Sequence, residues 1–214
     1  MAYNECKVLK DANGNPTGQV VTPQAIMMYP SLFEKQMPRG ETDEKKAKYQ
    51  VSLIFHKSAN LGPLKAAMDA VIAEKVSPGA LKTTKLKKPF LKVTEEENPK
   101  VFHALVAAGY DPEDYPVMLR TANGFKPVIK NPDVSDCLDE EQTYAGRICR
   151  ANINFWFYDH AVGGKGISAS VNSVQLLDHG PVLPRAGGGG SDGSEFEPAD
   201  TGGGANASAD SVFN

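Results

Sequence analysis

Hydrophobic and polar residues alternate along several long segments of the chain, which is the pattern of half-buried β-strands. In residues 48–57 this alternation places four large apolar side chains on one strand face: Tyr49, Val51, Leu53 and Phe55. Residues 147–158 and 167–177 alternate in the same way on either side of a glycine-rich turn at 163–166. The pattern therefore predicts one long β-hairpin in the C-terminal half of the chain.

Other segments have weaker strand patterns. They lie at residues 7–9, 20–29, 117–121 and 126–130. Pro23 interrupts the second of these segments. Asn13-Gly14 and Asn123-Gly124 are two-residue hairpin signals, so we expect the first two segments to pair with each other, and likewise the last two.

One segment has helical periodicity instead. Its apolar side chains recur at the spacing of a helix face: Leu61, Leu64, Met68, Val71 and Ile72. We expect this helix to begin near residues 60–63 and to end at Ser77-Pro78-Gly79. Long strands with a single helix between them indicate a mainly β fold, either a small antiparallel barrel or a curled sheet, because closure removes exposed strand edges.

The composition changes near residue 185, and the change divides the chain into two parts. The 214 residues have a net charge of −3, but residues 185–214 hold one basic and five acidic residues, a net charge of −4. Residues 1–184 therefore hold 22 basic and 21 acidic residues, a net charge of +1. Eight of the 20 glycines also lie in the last 30 residues. We predict one domain at 1–184 and a disordered, glycine-rich acidic tail at 185–214.

Two interpretations of this tail remain open. It is either a passive solubilising segment or a segment that binds a partner. Passive solubilisation requires no aromatic residue, whereas the tail has two phenylalanines. The candidate partner-binding residues are Glu195, Phe196, Glu197, Asp200, Asp210 and Phe213.

Several function classes lack their sequence signals. No apolar run approaches the ~20 residues of a membrane-spanning helix, and the first residues do not form a secretory signal. The three cysteines have no Cys-x-x-Cys spacing, which favours free thiols in a reducing compartment. The four histidines are scattered, and no Gly-x-Ser-x-Gly elbow is present. We therefore expect neither enzymatic activity nor a cofactor.

An acidic loop at residues 133–141 is the one candidate for a metal site. It holds five carboxylates: Asp133, Asp136, Asp139, Glu140 and Glu141. Carboxylates in a loop that also contains proline and cysteine are usually solvated. We therefore expect no metal there.

Residues 149–158 carry the strongest candidate chemistry. The odd positions are all apolar and predict a core face, whereas the even positions are Arg150, Asn152, Asn154, Trp156 and Tyr158. Flat aromatic rings stack on nucleic-acid bases, arginine binds phosphate, and asparagine can bind base edges or sugars. The alternative is that a loop or the helix covers the two aromatic rings.

A lysine-rich segment at residues 82–92 is the second candidate. It contains no acidic residue, and its candidate binding residues are Lys82, Lys85, Lys87, Lys88, Phe90 and Lys92. A cationic loop of this kind can follow a phosphate backbone and release counterions. The alternative is a solvated loop whose charge is balanced by the glutamates at 95–97. Further cations on or beside the C-terminal strands are Arg120, Lys126, Lys130, Arg147 and Lys165.

Three stretches resemble a family of phage single-stranded-DNA-binding proteins that was long catalogued as a domain of unknown function. They are Tyr-Gln-Val-Ser-Leu-Ile-Phe at 49–55, Tyr-Ala-Gly-Arg at 144–147 leading into Ala-Asn-Ile-Asn-Phe-Trp-Phe-Tyr at 151–158, and Gly-Lys-Gly-Ile-Ser-Ala at 164–169 with Val-Asn-Ser-Val-Gln at 171–175. The resemblance covers about residues 18–184. It implies an oligonucleotide/oligosaccharide-binding (OB) barrel with one added helix. It also implies a non-enzymatic protein that coats single-stranded DNA during phage replication, in the cytoplasm of an infected bacterium.

The residues and the resemblance together predict sequence-tolerant binding of single-stranded DNA. Trp156, Tyr158 and Phe90 would stack on bases, and the arginines and lysines would contact phosphates. The acidic tail would compete with DNA and recruit replication or recombination proteins of the phage or its host. Two alternatives remain open: a phage adaptor that binds another protein through the Trp156 face, and a single-stranded-RNA binder.

Overall fold

The structure is a computed structural model, and it describes residues 3–38, 40–77, 86–160 and 164–184. The described strands are β1 (Lys7–Lys10), β2 (Pro16–Val21), β3 (Ala25–Gln36), β4 (Lys48–Phe55), β5 (Phe90–Lys92), β6 (Val117–Asn123), β7 (Val128–Lys130), β8 (Ile148–His160) and β9 (Gly164–Asp178). The described α-helices are α1 (Gly62–Lys75) and α2 (Pro99–Ala107). Lys82, Lys85 and the whole segment 185–214 lie outside the described residues, so the predicted tail and its candidate residues stay predictions.

The strands form one curled sheet that closes into an OB-like barrel. Along the sheet the order is β1-β2-β8-β3-β4-β6-β5, and β9 pairs with the other side of β8. Lys87, just before β5, bridges to Gly166 of β9, which connects the β5 edge to the β8–β9 hairpin. The expected mainly β fold is therefore confirmed. The long hairpin is confirmed too, with strands of 13 and 15 residues.

The alternation of β8 matches its predicted faces. Its odd side chains point into the barrel, and four of them are buried: Cys149, Ala151, Ile153 and Phe155. Helix α1 packs Leu64, Met68 and Ile72 against the same interior. Each such side chain contributes about 2 kcal/mol by leaving water. The even side chains of β8 remain on the outer surface of the sheet.

Helix α2 was not predicted from the sequence, which indicated a single inserted helix. It covers part of the barrel's outer surface and buries Val101, Ala104 and Leu105. These residues pack against outward side chains of β3, β4 and β6, among them Met28 and Met118. The helix has nine residues, so its apolar spacing spans little more than two turns and is a weak signal in the sequence.

The predicted pairing between residues 117–121 and 126–130 is wrong. Strand β6 has β4 on one side and β5 on the other, so both of its edges are already hydrogen-bonded. Strand β7 instead pairs in parallel with β9, for example Ile129 with Val174. The first predicted hairpin, by contrast, is confirmed in part. Strand β1 pairs antiparallel with β2, but the predicted strand at 20–29 is divided between β2 and β3.

The cysteines are structural thiols. Cys6, Cys137 and Cys149 are free, and the Cys149 side chain of β8 is fully buried in the barrel interior. Burial raises the pKa of the Cys149 thiol to about 12 and that of Cys6 to about 11. Both thiols are therefore protonated at neutral pH and poor nucleophiles. Among the described residues, no helix has the length and apolar character to span a membrane.

Candidate nucleic-acid interface

An open groove of about 720 Å³ crosses the outer surface of the barrel beside α2. Its floor is formed by outward side chains of β4 and β6: Gln50, Ser52, Met118, Arg120 and Ala122. Ser52 pairs with Arg120 in the register of β4 and β6, and Gln50 pairs with Ala122, so the floor is one continuous patch of sheet. The walls come from β3, from the segment before β5, from the first turn of α2 and from the near end of the β8–β9 hairpin, which is the end next to its turn.

The groove carries an excess of positive charge. Glu97 is the one acidic residue among the described residues of the lining. Four basic residues line the groove: Lys87, Lys88, Lys100 and Arg120. The side chains of Lys88, Lys100 and Arg120 are exposed and make no hydrogen bond or ion pair with another described residue. Glu97 forms an ion pair with Lys92 (3.3 Å between Oε1 and Nζ). The positive end of α2 also faces the groove and adds to its potential. The groove is therefore suited to an anionic ligand.

Two aromatic rings extend from this groove along the outer face of β8. Tyr158 lines the groove, and the Trp156 ring meets it edge-on with 6.0 Å between centroids. Trp156 is 42% exposed, so no described loop or helix covers it. Its indole N–H donates a hydrogen bond to Ser170 Oγ (3.0 Å) on β9, which holds the ring across the hairpin. Tyr158 also stacks on His160, so its ring orientation is supported from both sides.

Gly166 allows the hairpin to meet the lysine-rich segment at this point. A Cβ at position 166 would lie 2.5 Å from the Tyr158 hydroxyl oxygen and 2.7 Å from the Lys87 carbonyl oxygen. A side chain would therefore push apart the two elements that form this wall of the groove. The Lys87 backbone also bonds to Lys165 and Ile167 of β9 (3.1 and 2.8 Å), and this fixes the position of Lys88 at the groove.

Other predicted residues lie at the far end of the hairpin, around a second and smaller cavity of about 200 Å³. Arg150, Asn152 and Lys130 line it together with residues of β1, β2 and β9. Arg150 Nε donates to Gln175 Oε1 (2.8 Å), and its guanidinium lies 4.4 Å from the centre of the Tyr3 ring.

The remaining two polar residues at this end are also bonded within the protein. Asn152 donates to Gln19 (2.8 Å), and Lys130 forms an ion pair with Asp136 (2.7 Å). These three side chains therefore donate to partners within the protein, unlike those of Lys88, Lys100 and Arg120 in the groove.

The other predicted cations are dispersed. Lys126 lies over the Phe33 ring (4.9 Å from Nζ to the centroid) at a third location. Lys165 forms an ion pair with Asp159 (2.8 Å) at the tip of the hairpin, and Lys92 is paired with Glu97 as described above. Asn154 is half-buried between Gln19 of β2 and Ser170 of β9. None of these four residues lines the groove.

Two predicted contact residues point into the protein and require correction. Arg147 is 3% exposed, and its guanidinium contacts the His179 ring beneath Tyr144. Phe90 packs against Phe155 in the barrel, with 6.1 Å between ring centroids. Alternation along β5 directs Phe90 inward and Leu91 outward to the groove, and the sequence alone could not establish this phase.

The structure also brings residues to the groove that the sequence reasoning missed. Tyr29 of β3, Gln50 of β4 and Lys100 of α2 all line it. Lys100 was missed because α2 was missed. Tyr29 stands before Pro30 in the middle of a strand, and an internal proline is the available signal of an irregular strand there.

The acidic loop is accounted for by local bonds. Asp133 accepts hydrogen bonds from Ser135, and Asp136 pairs with Lys130. Asp139 accepts from the backbone N–H of Glu141 and caps a short 3-10 turn. Among the described residues, no group of three or more His, Cys, Asp or Glu side chains is arranged to hold a metal ion.

Comparisons with known proteins agree with the fold described above. A family model described as the single-stranded-DNA-binding protein of Enterobacter phage Enc34 matches residues 18–205. The C-terminally truncated Enc34 protein is similar in structure, with a TM-score of 0.57 and 17% identity over 77% of this chain and 88% of that chain. The Enc34 protein in complex with single-stranded DNA is similar with a TM-score of 0.54 and 18% identity, over 77% of this chain and 89% of that chain.

A second phage protein has the same fold. The single-stranded-DNA-binding protein gp2.5 of bacteriophage T7 gives a TM-score of 0.51 and 14% identity, over 88% of this chain and 98% of that chain. No curated protein sequence is significantly similar to the chain.

Proposed function

The chain belongs to the family of the single-stranded-DNA-binding protein of Enterobacter phage Enc34, and we propose that it binds single-stranded DNA in the groove beside α2 with little sequence preference. Three exposed groove cations carry this proposal, because they make no hydrogen bond or ion pair with another described residue: Lys88, Lys100 and Arg120. They lie next to the exposed Trp156 ring and the half-buried Tyr158 ring. Cations that follow a backbone, together with rings on which bases stack, are the two elements of sequence-tolerant single-strand binding.

Each part of the groove has a role in this proposal. Arg120, Lys88 and Lys100 contact phosphates, so binding releases counterions and weakens as salt rises. Tyr158 and Trp156 stack on successive bases, which any base allows because every base has a flat face. Gln50 donates from Nε2 to Gln36 Oε1 (2.6 Å) and Ser52 is 7% exposed, so these two residues shape the floor. The protein then protects single strands during phage DNA replication and recombination without catalysing a reaction.

A titration of the intrinsic fluorescence tests the DNA proposal directly. Trp156 is the only tryptophan in the chain, so its emission reports on one point of the interface. We expect oligothymidine to quench this emission and added salt to reverse the quenching. Duplex DNA of the same length is the control, since paired bases cannot stack on the ring.

Other outcomes distinguish the alternatives. Equal competition by a matched RNA oligomer would favour a general single-strand binder. Unchanged emission, together with no DNA binding in a filter or mobility assay, would contradict the proposal and favour an adaptor that docks a protein on the same rings.

We further propose that residues 186–214 act as a competing and recruiting tail. The sequence after Arg185 carries five acids and no base, a charge of −5, opposite in sign to the groove. Removal of the tail should raise DNA affinity, most strongly at low salt where charge is least screened. Recruitment of a replication or recombination protein should depend on Phe213 and the acids near it.

The matched control keeps the tail and removes only its charge. In this variant Asp192, Glu195, Glu197, Asp200 and Asp210 are replaced by their amides. If the charge is what competes, this variant and the deletion should bind DNA equally tightly. Equal DNA affinity of the deletion variant and the full chain at low salt would contradict the proposed competition between the tail and DNA.

A further inference from the structure

Tyr29 has an unusual backbone conformation. Its φ is 51°, in the left-handed region, and Tyr29 and Val134 are the two non-glycine residues with positive φ in the part of the chain that the structure describes. A bulky side chain rarely adopts this conformation. The residue before a proline also prefers an extended backbone, and Pro30 follows directly. The conformation is therefore held by the surrounding structure at some cost in free energy.

A β-bulge accounts for this conformation. Met28 pairs with Ser52 and Ser31 pairs with Gln50, so three steps along β3 correspond to two steps along β4. The extra residue in β3 breaks the alternation of side chains, because two residues then oppose the single residue Val51.

The bulge changes the direction of the tyrosine ring. Met27 points into the barrel and Met28 points outward, so regular alternation would direct residue 29 inward. Tyr29 instead lines the outer groove and is 38% exposed. An aromatic ring that would otherwise join the core is thus presented to solvent.

The position of Tyr29 complements the aromatic residues of β8. The sheet order across the groove runs from β3 through β4 and β6 to the segment that joins β9. Tyr29 therefore lies at the β3 side, Tyr158 at the hairpin side, and Arg120 on the floor between them. Arg120 is close enough to favour the ionised phenol, but partial burial has the larger effect and raises the Tyr29 pKa. The phenol is therefore neutral at pH 7.

We propose that Tyr29 is a base-stacking residue of the groove and that the β3 bulge exists to present it. This inference rests on the proposed function. It predicts that a single strand crosses the sheet with a base stacked at each side, on Tyr29 and on Tyr158, and a phosphate bound by Arg120 between them.

The decisive variant is Tyr29→Gly, measured both for DNA affinity and for thermal stability. Glycine adopts φ near 51° without strain, and this relief offsets the greater entropy of glycine in the unfolded chain, so the midpoint of thermal unfolding should change little. The affinity for oligothymidine should fall about tenfold, since one stacking platform is lost. If Tyr29 stacks on a base and is held under strain, binding should weaken while stability stays nearly the same. If its ring is only structural, the midpoint of thermal unfolding should fall.

Three companion variants separate the outcomes. Tyr29→Phe keeps the ring and should restore tight binding. Phe125→Ala removes a ring that is 82% exposed but does not line the groove, so affinity should not change. Arg120→Ala tests the groove independently of Tyr29.

Each result has one meaning. Weak binding by Arg120→Ala with wild-type binding by Tyr29→Gly would overturn the role of Tyr29 and leave the proposed function standing. Wild-type binding by both variants would contradict the proposed function. A loss in Tyr29→Phe as large as that in Tyr29→Gly would overturn stacking, because the phenol hydroxyl would then be the essential group.

Discussion

The groove beside α2 and the far end of the β8–β9 hairpin carry similar residue types but differ in how those residues are bonded. At the far end, Arg150 and Asn152 are held by Gln175, Tyr3 and Gln19. In the groove, the side chains of Lys88, Lys100 and Arg120 make no hydrogen bond or ion pair with another described residue.

The difference shows what distinguishes a binding surface from a polar surface. Hydrogen bonds to protein partners must be broken before the same groups can bind a ligand, and this lowers the net gain. Unpaired and solvated cations bind phosphate without that cost. This difference supports the proposal that the ligand binds in the groove and that the far end of the hairpin stabilises the fold.

The largest effect is expected from removing two groove cations together. In Lys88→Ala/Arg120→Ala, affinity for oligothymidine should fall by about 2 kcal/mol, roughly thirtyfold, since two phosphate contacts are lost. The slope of log affinity against log salt should shrink by about 1.4, or ~0.7 for each phosphate. Binding isotherms at several salt concentrations measure both quantities. An unchanged slope would contradict the assignment of these residues to phosphates.

Replacement of the tryptophan tests how far the groove extends along the hairpin. Trp156→Ala should weaken binding by about 1.5 kcal/mol, roughly tenfold, because one stacked base loses its platform. Circular dichroism and thermal unfolding serve as controls for folding. Unchanged DNA affinity in the folded variant would show that the interface reaches Tyr158 but does not include Trp156.

A variant at the far end of the hairpin should lower the stability of the protein and leave its DNA affinity almost unchanged. Arg150→Ala removes the bond to Gln175 and the contact with the Tyr3 ring, so the free energy of unfolding should fall by about 1 kcal/mol. DNA affinity should change by less than about twofold, which is within the effect of a distant charge at physiological salt. Denaturant unfolding and DNA titration of the same sample measure the two. A tenfold loss of DNA affinity with unchanged stability would contradict the stabilising role of the far end and place it in the DNA interface with the groove.

The smallest effect is expected from pH. Burial raises the pKa of the Tyr29 phenol, so this group stays neutral as pH rises from 7 to 9. Lysine and arginine also keep their charge in this window, and no histidine is among the described residues of the groove lining. Affinity at fixed salt should therefore change by less than about twofold. A steep loss between pH 7 and pH 9 would indicate an essential ionisable group that the groove lining does not contain.

Sequence reasoning identified the parts of the fold that depend on local pattern. The alternation in β8 predicted both its buried face and its polar, aromatic face, and the apolar spacing of α1 predicted that helix. It did not predict α2, whose nine residues are too few for a clear period, or the parallel pairing of β7 with β9. Such pairings depend on which strand edges the rest of the sheet leaves open.

Within the candidate site, sequence reasoning found Tyr158, Trp156, Arg120 and Lys88 but grouped them with residues that lie elsewhere. Phe90 and Arg147 were included for their residue type, but both point into the protein. The alternation of β5 directs Phe90 into the barrel, and the Arg147 guanidinium is buried against the His179 ring. Tyr29 was missed because a regular strand would direct its side chain into the core.

The sequence by itself determined the class of fold and the chemistry available, because alternation, helical spacing and residue type are local properties. The tertiary structure decided which cations and rings share one groove. That outcome depends on strand register, on barrel closure at Lys87 and Gly166, and on the bulge at Tyr29. These features arise from contacts between residues far apart in the chain, and no single segment encodes them.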